Sequence, residues 1–271
     1  MLDNSHIAFV GGGAMAEAII KGLLARDAVM PDQIVASDPV EARRRQLSSE
    51  YGVRTTAENV DAVRDADIVV LCVKPQVAMS VFSGLARRIS SSALVLSIMA
   101  GVPISAMRSG LMHSTIVRSI PNTPAQVGKG ATVWTATPQV SDEQRVQVAD
   151  ILGALGEHIE VGDEHYLDMA TGLSGSGPGF VFLLIEALID AGVQIGFSRP
   201  DAEKLVLQTI EGSVALMRET GLHPAVLRNR VTSPAGTTAA GLYELETGNV
   251  RAVLARAVEA AYARSAELGA K

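Results

Sequence analysis

The sequence predicts an α/β protein with two domains: a doubly wound parallel sheet over residues 1–162 and an all-α C-terminal domain over residues 163–271. Three observations carry that expectation. Short runs rich in Val and Ile alternate with amphipathic stretches through the first part of the chain. A glycine-rich loop follows the first of those runs. After residue 162 the strand-like runs stop and long apolar helical patterns take over. Alternating strands and helices build a parallel sheet, whereas segregated helices build a layer of their own.

Taken in order, HIAFV (6–10), QIVAS (33–37), DIVVLCV (67–73), ALVLSI (93–98) and STIVRSI (114–120) are short, rich in branched residues and bounded by Gly, Pro, Asp or Ser. That is the pattern of strands buried on both faces. MAEAIIKGLLARD, VEARRRQLSSEYG and VAMSVFSGLARRI lie between them with apolar residues at helical spacing, which implies right-handed crossovers. GATVWTA (130–136) is a further strand, SDEQ (141–144) opens a helix on an N-cap serine, and GEHIEVG (156–162) reads as a last edge strand. Beyond it FVFLLIEALIDAGVQIG, RPDAEKLVLQTIEGSVALMRETG and GNVRAVLARAVEAAYARSAELG are helices that end at glycine. They are apolar around much of their circumference, so each must be buried on more than one side. The domain is too small to cover them alone. Self-association through it, as a dimer or a higher oligomer, is expected, with a second subunit needed for activity.

Composition narrows the class. Of the 271 residues 48% are hydrophobic and 19% charged, which fills a core and excludes a disordered chain. The net charge of −6 comes without a basic stripe, so nucleic acid is not an expected partner. Arg43-Arg44-Arg45 is the one basic cluster, and a solvated helix face is its plainest reading. No run of about eighteen uninterrupted apolar residues predicts a membrane span. The N-terminus MLDNSHIAFV lacks the pattern of a secretory signal. The single cysteine, Cys72, sits in an apolar run and reads as a small buried hydrophobe. Together these favour a cytoplasmic protein. The histidines at 6, 113, 158, 165 and 223 have no metal-like spacing, so no metal site is expected.

FVGGGAMAEAI places Gly11-x-Gly13-x-x-Ala16 directly after the first strand, with Ala14 and Met15 opening a helix. The first glycine allows a tight turn and the second lets the backbone approach a pyrophosphate. The small third residue lets the helix pack closely. The helix start then offers unpaired N–H groups to the phosphates. This is the dinucleotide-binding loop of a Rossmann-type sheet. NADP(H) is favoured over NAD(H), which stays possible: Ser37 ends the second strand and the three arginines follow, while Asp38 either takes ribose hydroxyls or caps the next helix.

Further stretches are similar to the pyrroline-5-carboxylate reductase family. They are VKPQ (73–76), PNTPAQVGKGATVW (121–134), TGLSGSGPGFVFLLIEAL and, most specific, PAVLRNRVTSPAGTTAAGLYELE (224–246). The resemblance runs from Gly11 to the terminal helix. It departs at Ala235, where the family commonly has glycine. It implies hydride transfer from NAD(P)H to the C=N carbon of 1-pyrroline-5-carboxylate, giving L-proline. It also implies a cofactor contact from Asn59. Val73, Lys74 and Pro75, Ala100 and Gly101, and Asn122 lie at the carboxyl ends of strands, the edge where ligands bind in open α/β sheets, although Lys74 could simply pair with a surface carboxylate. Ser174 to Pro178 would line the site.

The run VTSPAGTT (231–238) then acquires a purpose. Pro234 should end the preceding helix near Val231 or Thr232, and a new helix should start around Ala235 to Thr237. Its first turn would present N–H groups from about Gly236, Thr237 and Thr238 to a substrate carboxylate. Gly236 lets the ligand approach, and Ser233 or Thr237 adds a hydroxyl. The resemblance makes Thr238 the residue that donates to the ring nitrogen or orients it; an ordinary N-cap is the plain alternative. Two other classes compete. A β-hydroxyacid dehydrogenase would need a lysine after the domain junction, and none occurs between Lys129 and Lys204. A non-catalytic NADP-binding sensor or scaffold would have no use for the threonine-rich turn. A reductase of a related cyclic imine stays open.

Overall fold

The computed structural model describes Leu2 and residues 4–269; Met1, Asp3, Ala270 and Lys271, at the outer ends of the two expected domain ranges, lie outside the described residues. An eight-stranded sheet has the order β3-β2-β1-β4-β5-β6-β7-β8. Its strands are β1 (Ile7–Val10), β2 (Ile34–Ser37), β3 (Arg54–Thr56), β4 (Ile68–Leu71), β5 (Leu94–Ser97), β6 (Ile116–Ile120), β7 (Gly130–Ala136) and β8 (Gly156–Glu160). The edge strand β3 went unread in the sequence because its residues, RTT, carry no apolar run.

Six strands run parallel from β3 to β6. β7 then pairs antiparallel with β6 (Val117 opposite Ala136), and β8 is parallel to β7. The doubly wound parallel sheet is therefore mixed at one end. The link Pro121–Lys129 is shorter than the dozen or so residues a parallel crossover needs.

Helices cover both faces: α1 (Ala14–Leu24), α2 (Glu41–Tyr51), α3 (Asn59–Val63), α4 (Ala78–Leu85), α5 (Ile104–Leu111) and α6 (Asp142–Gly153). Alternation along β1 shows the double winding. Ile7 and Phe9 enter a core with Ile19, Leu23, Leu47, Trp134 and Ile151, whereas Ala8 and Val10 enter a second with Val69, Phe82, Leu85, Met107 and Leu111. The expected cap on α6 is present: Ser141 Oγ accepts from the Gln144 N–H at 3.2 Å, and Gln144 returns the bond to the Ser141 N–H at 3.1 Å. Cys72 is half-buried against the first core, and burial pushes its thiol pKa well up.

After β8 come α7 (His165–Ala170) and one π-helical turn, Thr171–Gly175, closed by the Ser176 N–H on the Thr171 carbonyl at 2.8 Å. The remaining helices are α8 (Gly177–Gln194), α9 (Arg199–Thr220), α10 (Pro224–Arg230), α11 (Thr237–Thr247) and α12 (Val250–Gly269). Two compact units result. One comprises the residues up to Ser176 together with those from Ala260, and the other spans Gly177–Glu259. The expected boundary at residue 162 lies just after β8. α7 stays with the first unit, where Ser265 Oγ donates to Asp168 at 2.8 Å and the Tyr262 hydroxyl meets His165 Nε2 at 3.1 Å.

In the second unit Ala202 is the one buried residue among those described, while Phe182, Leu183 and Tyr243 are each more than 60% exposed. Helices this apolar and this bare in the single chain require a covering partner. By length and composition the stretch His165–Gln194 would also reach across a bilayer, with 6% of its most apolar window buried. Glu186 and Asp190 interrupt the apolar run, which is why the sequence reading found no span there.

Candidate active site

The carboxyl edge of the sheet gathers the first group of expected residues. Gly11 has φ +96°, and a Cβ there would stand 3.0 Å from the Cys72 carbonyl carbon and oxygen, so both conformation and space demand glycine. A Cβ built on Gly13 meets nothing within 4 Å. α1 starts at Ala14 with no side-chain cap, so the N–H groups of Ala14, Met15 and Ala16 open onto that free space. Buried Ala16 is the small residue where the helix meets the sheet. Backbone open at a bare helix start fits a pyrophosphate.

The Val73 side chain packs over Gly11, and exposed Lys74 leads into a 3₁₀ turn that begins at Pro75. Among the described residues no carboxylate pairs with Lys74. Ala100 and Gly101 form the turn after β5, with Gly101 at φ +70° and Leu268 packed beside it.

At the end of β2 the side chains are bound to one another. Ser37 is fully buried, and its hydroxyl lies 2.8 Å from Asn59 Oδ1 and 3.2 Å from the Phe9 carbonyl. Its proton is thus engaged within the protein, and Asn59 presents its amide nitrogen instead. The Asp38 carboxylate accepts from the Gly12 N–H at 3.0 Å and the Val40 N–H at 2.9 Å, so it ties the loop to the entry of α2. The three arginines divide. Arg43 turns back to the glycine loop, Arg44 donates to the Asp38 carbonyl at 2.7 Å, and Arg45 pairs with Glu41 on the exposed helix face.

Asn122 has a clear structural task. Its Oδ1 accepts from the Ala131 N–H at 2.9 Å, and its Nδ2 donates to the Ser174 carbonyl at 3.1 Å. It therefore fixes the π-helical turn of the GLSGSGPG loop, where a Cβ on Gly172 would stand 2.9 Å from the Tyr262 nitrogen. Single π turns recur where a helix must present groups to a ligand. Pro178 sits in the first turn of α8, as expected.

In the second unit the VTSPAGTT break forms as read. α10 stops at Arg230, and Thr232 Oγ1 donates to the Arg228 carbonyl at 2.7 Å. A turn through Pro234 and Ala235 follows, and α11 begins at Thr237 with Gly236 at its N-cap. One expected donor is corrected: the Gly236 N–H is already bonded to the Ser233 carbonyl at 3.0 Å. Helix geometry leaves the N–H groups of Thr237, Thr238 and Ala239 free instead. Among the described residues the hydroxyls of Ser233, Thr237 and Thr238 have no partner. A Cβ on Gly236 would press on the Ser233 side-chain oxygen and stand 3.1 Å from the Ser233 carbonyl oxygen. Ala235 holds φ +57°, a left-handed conformation that costs a non-glycine residue about 1 kcal/mol. Ala235→Gly is therefore expected to stabilise the protein by about 0.5 kcal/mol, the strain relieved less the extra freedom of the unfolded chain. Denaturant unfolding checks this, and a less stable variant would refute it.

Sequence reading missed the pair of buried Arg118 with half-buried Glu164. Arg118 on β6 is 3% exposed, and its Nη1 donates to Glu164 Oε1 at 2.6 Å. The same oxygen accepts from the Ile104 N–H at 2.8 Å and so caps α5. The arginine inside STIVRSI was the available signal. Glu164 also borders a cavity of about 1010 Å³ beside the start of β6 and the end of β7. None of the sequence-predicted site residues lines it. The histidines serve locally: His223 caps α10 through the Ala225 N–H at 3.2 Å, and buried His113 contacts the Ala93 carbonyl at 2.8 Å. Among the described residues no cluster suits a metal ion.

Comparison with known proteins places this geometry. Residues 164–268 match the family described as pyrroline-5-carboxylate reductase dimerisation, and residues 6–101 match NADP oxidoreductase coenzyme F420-dependent. A pyrroline-5-carboxylate reductase from Synechocystis is 43% identical over 98% of this chain and 99% of its own. The chain belongs to the pyrroline-5-carboxylate reductase family. A pyrroline-5-carboxylate reductase from Coxiella burnetii superposes with a TM-score of 0.92 at 37% identity, covering 97% of this chain and 98% of that one. A pyrroline carboxylate reductase from Plasmodium falciparum, solved with NADP bound, gives 0.88 at 34% identity and covers 98% of both chains. Prephenate dehydrogenase from Aquifex aeolicus, 14% identical with a TM-score of 0.54, shares the fold alone. As a member of the pyrroline-5-carboxylate reductase family, this chain is an oxidoreductase with a nicotinamide cofactor, and its C-terminal helices are a dimerisation domain.

Proposed function

We propose that this chain reduces 1-pyrroline-5-carboxylate to L-proline with hydride from NAD(P)H, as a cytoplasmic enzyme of proline biosynthesis. The observation that carries the reading is the bare start of α11. Free N–H groups and unpartnered threonine hydroxyls occur together there, in a chain whose sheet edge is built for a dinucleotide. The N–H groups of Thr237 and Thr238 hold the substrate carboxylate, with a hydroxyl from Ser233 or Thr237 added and Gly236 keeping the approach open. Thr238 Oγ donates to the ring nitrogen. The bound nicotinamide supplies a hydride to the C=N carbon. The nitrogen gains the electron pair of the broken π bond and takes up one proton, so imine, hydride and proton give the amine.

Gly11, Gly13, Ala14, Met15 and Ala16 hold the pyrophosphate, and Asn59, braced by Ser37, faces the adenosine end. Val73, Lys74, Pro75, Ala100 and Gly101 line the rest, with Asn122 setting the loop at Ser174. NADP(H) stays ahead of NAD(H), since both Asp38 oxygens are already engaged by backbone N–H groups and the carboxylate is tied back from a ribose. Steady-state reduction of 1-pyrroline-5-carboxylate with NADPH and NADH side by side tests both points. Turnover with the larger kcat/KM for NADPH is expected. Cofactor binding without turnover would leave a sensor, and faster reduction of a six-membered cyclic imine would move the activity to a related substrate.

A further inference from the structure

We infer that Arg43 is the positioning residue of the pyrophosphate loop, which it holds from behind, and that it does not read the 2′-phosphate of NADP. The inference rests on the dinucleotide reading of that loop. Arg43 is largely buried, its side chain 19% exposed. Its Nε donates to the Gly12 carbonyl, its Nη2 to the Gly13 carbonyl at 3.2 Å and to Glu17 Oε2 at 2.6 Å, and its Nη1 to Gln46 at 2.7 Å. Glu17 also accepts from the Tyr51 hydroxyl at 2.8 Å. Burial alone would raise the Glu17 carboxyl pKa, but the bonds from Arg43 and Tyr51 outweigh it and hold it below its usual value. Burial and the Glu17 carboxylate push Tyr51 up to about 12. At neutral pH Glu17 is an anion, Tyr51 is a donor, and the clasp is complete.

A peptide plane makes this matter for the cofactor. In a trans peptide the C=O and the following N–H point in opposite directions. Holding the Gly12 carbonyl therefore aims the Gly13 N–H, and holding the Gly13 carbonyl aims the Ala14 N–H. Those amides flank the open backbone at Gly13 where the pyrophosphate belongs. Three consecutive glycines would otherwise leave the loop with many conformations to lose on binding. Asp38 fixes the remaining amide, at Gly12, from the other side. With Nε, Nη1 and Nη2 all bonded within the protein, the guanidinium is committed to the loop.

The test is direct binding of NADPH and NADH by dihydronicotinamide fluorescence, with steady-state kinetics alongside. Arg43→Met, which keeps the apolar stem and removes the donors, is expected to raise both dissociation constants about tenfold, a change of about 1.4 kcal/mol. Their ratio should stay constant, and kcat and the KM for the imine should be unchanged. Tyr51→Phe, which loosens Glu17 alone, should raise both constants about threefold. A loss confined to NADPH would make Arg43 a phosphate reader and overturn the proposal, as would unchanged binding of both cofactors. Should Arg43→Met fail to fold, the Tyr51→Phe result decides on the same terms. Wild-type protein that binds neither cofactor would instead sink the dinucleotide reading itself.

Discussion

Thr238→Ala should lower kcat by about 10²-fold and leave the dissociation constant of NADPH within about twofold of wild type. The change removes one hydroxyl and keeps the backbone. The N–H groups proposed to hold the carboxylate, those of Thr237 and Thr238, belong to the backbone and survive in the variant. Alanine is a good helix former, so α11 should still start at residue 237. What disappears is the donor to a nitrogen whose basicity grows as hydride arrives, so the loss falls on the chemical step rather than on binding. Thr238→Ser restores a hydroxyl at the same position and should recover most of the rate. Proton donation and orientation separate in the kinetics. A residue that only orients the ring would show a KM for the imine rising with the fall in kcat. Turnover unchanged in Thr238→Ala would remove the hydroxyl from the mechanism.

The helix break before α11 could be read in advance because Pro, Gly and Thr are strong local signals: Pro234 forbids helix, and the glycine and threonines define the restart. The strands were legible for a similar reason, since a branched apolar run between polar punctuation has few other uses in a soluble chain. Local signals fail where the third dimension decides. β3 is held by pairing with β2 at a solvated edge, so its residues owe nothing to a core. The direction of β7 is absent from its own residues and sits in the length of the preceding link. Ser37 favoured NADP(H) by its place at the end of β2, but it is fully buried and its hydroxyl lies against Asn59. Arg43 attracted notice for its charge alone. Its role depends on Glu17, 26 positions before it, and on Tyr51, which lies 34 positions from Glu17. Arg118 announced itself as a charge inside a strand, but its partner lies 46 residues on and nothing local points to it.

That partner carries the largest expected effect on stability. Glu164→Ala should destabilise the protein by about 3 kcal/mol and lower the unfolding midpoint by roughly 6–12 °C. Arg118 is 3% exposed, and its Nε has no partner among the described residues even in the intact pair. Removing Glu164 leaves a buried cation without a counter-charge and takes the side-chain acceptor from the Ile104 N–H at the start of α5. The exposed pair Arg199–Asp190 is different, because water replaces either partner and its loss should cost under about 1 kcal/mol. Glu164→Gln keeps an acceptor for both donors and should lose about half as much. Adding Arg118→Met to Glu164→Ala should recover part of the loss, since the stranded charge rather than the missing attraction dominates the cost. Thermal unfolding of the three variants separates these terms, and a single variant melting within about 1 °C of wild type would refute the account. The effect should also reach the cofactor. α5 begins three residues after Gly101, so an uncapped helix start loosens the Ala100–Gly101 turn at the sheet edge. Below its melting temperature Glu164→Ala should therefore bind NADPH more weakly, although Glu164 touches no part of the cofactor edge.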